Sequence, residues 1–330
     1  MPVNYIETGS LDPCFNLAFE QYILENKTAG DWLMLWQNAN TIVIGMNQNT
    51  AEEINADFVK EHGITVVRRM TGGGAVYHDL GNLNYSFISD IGDKASLSIE
   101  QFSRPVCRAL ESLGLHATVS GRNDIIIDGR KVSGVAQRVY KNRILHHGTL
   151  LFRSDADMIA GSLNADPSKF ESKSSKSVKT RVGNISDFLS EDMSFEQFRE
   201  AIRHQLSLDG AVVCTLTDDE LAQIRKNADE KYRSWEWTYG RSPKYTFKNK
   251  ARFAGGSIEV RLFVEHGMIK EASFAGDYMA VCDSSAAAEA LAGVKLTRED
   301  VMSALAAVDM QSVFGGITAE NIADVIFSEG

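Results

Sequence analysis

Residues 66–87 read VVRRMTGGGAVYHDLGNLNYSF. Two arginines, Arg68 and Arg69, enter a run of three glycines, Gly72 to Gly74, and His78, Asp79, Gly81 and Asn82 follow closely. Glycine loses more chain entropy on folding than any other residue, so such a run persists where backbone takes unusual angles or approaches something closely. Successive N–H groups of a glycine-rich turn form a concavity suited to an anion. An arginine on the entering strand adds a planar charge that pairs well with phosphate or carboxylate. The stretch therefore predicts strands ITVVRR and LNYSFIS on either side of a turn that covers an anionic ligand. It is neither of two familiar phosphate loops. The chain has no GxxxxGK[ST], and GGGAVYHDLG lacks both the GxGxxG spacing and the strand-to-helix setting.

Upstream, DPCFNLAFEQYILEN predicts a helix capped by Asp12, with Pro13 in its first turn and Phe15, Ala18, Phe19, Tyr22 and Ile23 on an apolar face. WLMLW and TIVIG read as strands. Downstream, a helix is expected over Ile99–Leu113, then a β-rich block of HATVS, DIIID, RKVSGVAQRVY and RILHHGTLLF, in which Asp128-Gly129 is a two-residue hairpin signal. In that block Asn123 and Asp124 open a strand and Lys131 follows the hairpin turn. Lys131 reads either as a solvated turn lysine or as a point charge aimed at a carboxylate or phosphate, with Ser133 and Gly134 leaving it room. His146 and His147 lie on another strand, and without an HExxH pattern a structural role has first claim on them.

Ser168–Arg181 is rich in serine and lysine and reads as a basic surface loop. Helices at Ser194–Leu206 and Thr217–Tyr232 each open with a capping-box pattern. A further shift near Ser242–Lys250 separates a small acidic α+β segment, with a hairpin at SIEVRLFVEHGMIKEASFAG and helices starting near Asp283, Thr297 and Thr318. The expected division is a catalytic unit at 1–245 and an accessory unit at 246–330.

A formal charge of −10 makes indiscriminate binding to nucleic acid or anionic membrane a poor expectation, so an anion must be held by a local basic site. MPVNYIETGS lacks the basic and apolar regions of a signal peptide. Cys14, Cys107, Cys214 and Cys282 are widely spaced and form no CxxC, which points away from a zinc site or disulfide framework and toward a reducing cytoplasm.

Taken in order, RRMTGGGAVYHDLGN, GRND, RKVSG, HHGTLL and RSWEWTYG resemble the motifs of the lipoate–protein ligase A family across essentially the whole chain. The resemblance implies an α/β fold (strictly α+β): a large mixed-sheet domain of the biotin/lipoate ligase type, related to class II aminoacyl-tRNA synthetases, and a small C-terminal domain. It implies ATP- and magnesium-dependent adenylation of lipoate, release of pyrophosphate, and transfer of the lipoyl group to a lysine of an acceptor lipoyl domain, of a glycine-cleavage H protein or a 2-oxoacid dehydrogenase E2 subunit.

Carried onto this sequence, the nucleotide contacts fall on Arg69, Gly74, Ala75, Val76, Tyr77 and Lys131, with Asn82 and Asp124 as further candidates and Asp124 as the magnesium ligand. The lipoate contacts fall on Gly72, Gly73, Gly74, Lys131 and His147, and Lys131 is the catalytic residue. Ser168–Arg181 falls where the family has a loop that orders over the adenylate. Met70 stands where some relatives carry a small polar residue, either lining the lipoyl tail or packing. No nucleic acid, no membrane and a monomeric chain are expected. The rivals are an octanoyl or lipoyl transferase of the same fold, which attacks with a cysteine thiolate, a biotin ligase, whose GRGR-type loop GRND does not match, and a non-catalytic protein that binds lipoate or nucleotide.

Overall fold

The computed structural model describes residues 3–91, 98–121, 123–164, 181–207, 210–239, 247–265 and 267–327, without the side chains of 51 and 52. The expected basic loop at 168–181 lies outside the described residues except for Arg181. The strands are β1 (Val3–Glu7), β2 (Trp32–Trp36), β3 (Thr41–Ile44), β4 (Thr65–Arg68), β5 (Val76–His78), β6 (Asn82–Asp90), β7 (Ala117–Ser120), β8 (Asp124–Ile127), β9 (Arg130–Tyr140), β10 (Arg143–Leu151), β11 (Ala211–Val213), β12 (Phe247–Phe253), β13 (Gly256–Glu265) and β14 (Met268–Gly276).

Eight of them form one mixed sheet in the order β11-β1-β2-β6-β10-β9-β8-β7. β1 runs parallel to both β11 and β2, and the pairs from β2 to β7 are antiparallel. Because side chains alternate across a strand, β2 and β6 feed two cores. Leu33, Leu35, Leu83 and Tyr85 meet Val106 and Leu110 of the helix Ile99–Glu111 and Phe198 and Ile202 of the helix Phe195–Leu206. On the opposite face Met34, Trp36 and Ile88 meet Leu17, Ala18, Ile23 and Leu24 of the helix Pro13–Asn26. Asp12 caps that helix through the Cys14 N–H at 3.0 Å, as its sequence predicts. Asp128 and Gly129 take φ of 46° and 75°, so the hairpin between β8 and β9 is the primed turn that an Asp-Gly pair favours.

A second sheet, β4-β3-β5, is where the fold departs from expectation. β3 pairs parallel with β4 and antiparallel with β5, so the glycine run links two strands that flank β3 and does not join β4 to β6. β5 is three residues long, too short to leave a period-two pattern. β11 escapes the sequence for the same reason. β12 escapes because its alternating lysines and arginine, Lys248, Lys250 and Arg252, make it resemble a linker.

β12-β13-β14 form the third sheet, covered by helices Ser285–Leu291, Arg298–Leu305, Met310–Phe314 and Ala319–Phe327 around a core of its own. Its segment 276–281 lies against the glycine turn. Gly73 N donates to Tyr278 O at 3.2 Å, Gly276 N to Asn47 O at 2.7 Å, and Val139 N to Val281 O at 3.0 Å.

The HDLGN stretch is built for chain geometry. Asp79 accepts the Gly81 N–H at 2.9 Å and the Asp155 N–H at 2.7 Å, while Gly81 O receives Phe152 N at 2.9 Å and Arg153 N at 3.0 Å. A β-carbon on Gly81 would overlap the Arg153 carbonyl. Gly81→Ala is therefore expected to destabilise the fold by about 1–3 kcal/mol, the usual cost of forcing atoms into filled space. Urea unfolding measures it, and an unshifted midpoint shows the approach to be unimportant.

Candidate active site

Between the helix Pro13–Asn26, the central sheet and the glycine turn lies a cavity of about 90 Å³. Leu17, Trp36 and Val43 line its apolar end and Asn123 and Lys131 its polar end, with Arg69, Gly74, Ala75, Val76, His78, Asn84, Gly134 and His147 among the remaining walls. One lateral row of the sheet spans it. Gly134 N on β9 donates to Thr149 Oγ1 on β10 at 3.1 Å, Thr149 pairs with Asn84 on β6, and Asn84 pairs with Trp36 on β2.

Lys131 doubles back along its own strand. The register slips between Ile125 and Ile126, and a β-carbon on Gly134 would stand 3.0 Å from Lys131 Nζ and 3.1 Å from Cε. Gly134 is thus the space the ammonium occupies. Lys131 is ion-paired with Asp124 at 2.7 Å. The lysine is therefore no freely solvated turn residue.

Arg69 is buried, and four of its five N–H groups donate to the protein. Nε donates to Thr71 Oγ1 at 2.9 Å, Nη1 to Val43 O at 3.1 Å, and Nη2 to Gly72 O at 2.6 Å and Gly74 O at 2.9 Å. Burial lowers its pKa to about 10, so it stays charged at neutral pH. The guanidinium braces the turn by holding glycine carbonyls, and the side chain also lines the cavity. Arg68 is occupied likewise, on the carbonyls of Gly45 (2.8 Å), Gln48 (2.7 Å), Thr238 (2.9 Å) and Trp237 (3.0 Å), which ties the RSWEWTYG segment to β4.

The three glycines are not equivalent. A β-carbon on Gly72 would lie 2.9 Å from Ala280 N and 3.0 Å from Tyr278 O, and Gly73 has φ +88°. Both serve the contact with the C-terminal segment and neither lines the cavity, contrary to their assignment to lipoate. Gly74 does line it, and its nearest neighbour to an added β-carbon is Asp277 Cβ at 4.0 Å.

Tyr77 also points elsewhere, packing with Ile42 and Ile44 and donating to Asn40 Oδ1 at 3.0 Å. Asn82 is fully buried beside the cavity, its Nδ2 on Asn84 Oδ1 at 3.0 Å. Met70 packs into the core under the helix Pro13–Asn26 and does not line the cavity.

His147 belongs to a buried polar chain. Trp36 Nε1 donates to Ser86 Oγ at 2.9 Å, and Ser86 donates to Glu20 Oε1 at 2.6 Å. The same carboxylate oxygen lies 2.8 Å from His147 Nδ1, and His147 Nε2 lies 2.8 Å from Thr71 Oγ1. Thr71 already accepts from Arg69 and has one proton to give, so it donates to Nε2 while Nδ1–H donates to Glu20. The chain runs from helix to glycine turn without a gap. Glu20, Thr71 and Ser86 of this chain, and Asn84 and Thr149 of the cavity wall, are the residues sequence reasoning missed. Only Glu20 leaves a signal, as an acid beside Phe19 and Ile23 on an apolar helix face.

No cysteine lines the cavity. Cys14 and Cys107 are buried, and burial pushes the Cys14 thiol up to about 11. Among the described residues no three His, Cys, Asp or Glu side chains gather as a metal site.

Two family models cover the chain. One, for the lipoyl protein ligase A/B catalytic domain, matches residues 12–207, and the other, for the bacterial lipoate protein ligase C-terminus, matches 242–326. The chain belongs to the lipoate–protein ligase family. It is 42% identical over 321 residues to a lipoate-protein ligase of Bacillus subtilis (strain 168), covering 96% of this chain and 97% of that one.

Among solved structures it resembles a bipartite lipoate protein ligase of Thermoplasma acidophilum, described together with its E2 lipoyl domain, with TM-score 0.64 and 31% identity over 75% of this chain and 100% of the other. A lipoate-protein ligase A bound with ATP gives TM-score 0.62 and 29% identity over 73% of this chain and 99% of that one.

Thr71→Val should test the polar chain of this ligase-family site. It leaves Arg69 Nε and His147 Nε2 buried without partners, at a cost of about 1–3 kcal/mol each at most. Urea unfolding should show a loss in that range that Thr71→Ser largely restores. Equal stability of the valine and serine variants argues against the assigned hydrogen bonds.

Proposed function

We propose that the chain activates lipoate with ATP to lipoyl-AMP and then transfers the lipoyl group to a lysine of an acceptor lipoyl domain. The observation that carries this is the mixed lining of this cavity: an ammonium held over Gly134, together with the apolar Leu17, Trp36 and Val43. A carboxylic acid with an apolar tail fits that polarity.

In the first step a carboxylate oxygen attacks the α-phosphorus of ATP, the bond to the bridging oxygen breaks, and pyrophosphate leaves. Both reactants are anions, and Lys131 is the cation that brings them together and stabilises charge growing on the phosphoryl oxygens. At rest Asp124 holds that cation, and arriving anions take its place. Gly74, Ala75 and Val76 form the wall along which the nucleotide lies, kept in shape by Arg69 from beneath, with Asn82 supporting Asn84 next to it. His147 holds the turn through Thr71 on the lipoate side. The closed apolar end keeps water from the mixed anhydride.

In the second step the acceptor amine attacks the acyl carbon, an amide forms, AMP leaves and the amine proton passes to solvent. Magnesium fits the donor set, since Asp124 and Asn123 bring hard oxygens to the polar end and this ion takes one or two carboxylates with phosphates and water. When bound it would neutralise phosphate charge.

Residues 1–245 act as the catalytic unit and 246–330 as an accessory unit, in a cytoplasmic monomer whose acceptor is an H protein or E2 lipoyl domain. The relative described with an E2 lipoyl domain supports that acceptor class. The buried thiols argue against a cysteine transferase, since a thiol raised by burial is a poor source of thiolate.

Lys131→Ala should lower lipoate-dependent ATP–pyrophosphate exchange by about a hundredfold or more, the loss of roughly 3–4 kcal/mol of transition-state stabilisation. A rate near wild type removes Lys131 from the chemistry. Mass spectrometry of a lipoyl domain incubated with enzyme, ATP, magnesium and lipoate reads the complete reaction, and an unmodified lysine refutes it. Cys14→Ala should retain full transfer after thiol alkylation, whereas abolished transfer would restore the thiolate rival.

A further inference from the structure

The cavity wall beside Trp36 contains two buried N–H groups that have no partner among the described residues. Asn84 and His78 line it at 1% and 3% exposure. Asn84 accepts the Asn82 amide on Oδ1 at 3.0 Å, and its own Nδ2 is unpaired. The His78 tautomer is set by a relay of amides. Asn16 Nδ2 donates to the carbonyls of Ser10 (3.0 Å) and Gln37 (2.7 Å) and to Asn38 Oδ1 (3.0 Å). Asn38 Oδ1 is thereby an acceptor, so Asn38 Nδ2 donates to His78 Nδ1 at 3.1 Å. The ring proton therefore sits on Nε2, which is also unpaired.

Both donors stand beside Trp36, which is register-paired with Asn84 and meets the His78 ring edge-on at 6.4 Å between centroids. Asn84 lies well away from Lys131. Lys131 sits over Gly134 on β9, and Asn84 is two strands away, on the order of 10 Å at the usual strand spacing. That is the reach of a carboxylate, its methylene chain and a terminal ring. Buried donors are normally satisfied, and a pair left open at a ligand cavity is matched to a ligand that supplies acceptors. A lipoyl dithiolane supplies two divalent sulfurs, weak acceptors with no donor of their own, while a plain alkyl acid supplies only C–H.

We propose that Asn84 Nδ2 and His78 Nε2 donate to the two dithiolane sulfurs and so select lipoate over alkyl acids of equal length. This rests on the ligase function proposed above. Discrimination comes chiefly from the alternative substrate, which leaves both donors buried and unpaired.

The test compares kcat/KM for pyrophosphate release with lipoate and with cyclopentyl-pentanoate, in which methylenes replace both ring sulfurs. Wild type should favour lipoate by about tenfold or more, although the carbon ring is the more hydrophobic. In Asn84→Leu, of similar shape, that ratio should fall about tenfold, by a loss with lipoate and a gain with the carbon acid. Should the leucine variant fail to fold, Asn84→Ala carries the same comparison. A wild-type ratio near one overturns the proposal, as does an equal ratio in the variant. Absence of an adenylate with either acid overturns the ligase function itself, a separate and recognisable result.

Discussion

A buried guanidinium is the constraint on which this site depends. Arg69 is buried and charged, and a buried charge is tolerated only when hydrogen-bonded throughout. Its partners are the carbonyls of Val43, Gly72 and Gly74 and the hydroxyl of Thr71, so the turn must curl around it. That curl brings Gly73 O against Gly45, where no β-carbon could stand, and Gly72 under Tyr278 and Ala280. The glycines follow from the arginine: bulk at any of these approaches would pull the carbonyls off the charge.

The same demand propagates into the sheet. Thr71 passes the hydrogen-bond chain to His147, His147 to Glu20, and Glu20 to Ser86 and Trp36. The helix Pro13–Asn26 is therefore joined to the turn by oriented polar groups as well as by apolar packing. A network of this kind rigidifies when every member is satisfied and is costly when one is lost. It places a stiff wall along the cavity, whose other cation, Lys131, is paired with Asp124. The contact of the glycine turn with segment 276–281 means that the C-terminal unit bears on the same turn.

Much of this is legible in the amino-acid sequence. Asp12, Asp128-Gly129, Ser194 with Gln197 and Thr217 with Glu220 act through neighbours in the chain, and each forms the cap or turn its residues predict. Lys131 beside Gly134 was readable as a charge with room around it. Asn84 and Ser86 were not. They alternate with Leu83, Tyr85 and Phe87 as the polar face of any half-solvated strand does, and only the covering helix makes that face interior.

The sequence alone determined the longer elements and the family, because capping, turn chemistry and ordered motifs are local and survive in one dimension, whereas β5, β11 and β12 left no readable pattern. Tertiary structure decided which polar groups meet. It gave Arg69 to the turn, Gly72 and Gly73 to the C-terminal contact, and Tyr77 to the packing beneath. It also set Glu20, His147 and Thr71, from a helix, a strand and a loop, within hydrogen-bond reach. The physical reason is that a buried polar atom must find its partner in space, and the partners that count here are separated by up to 127 positions in the chain.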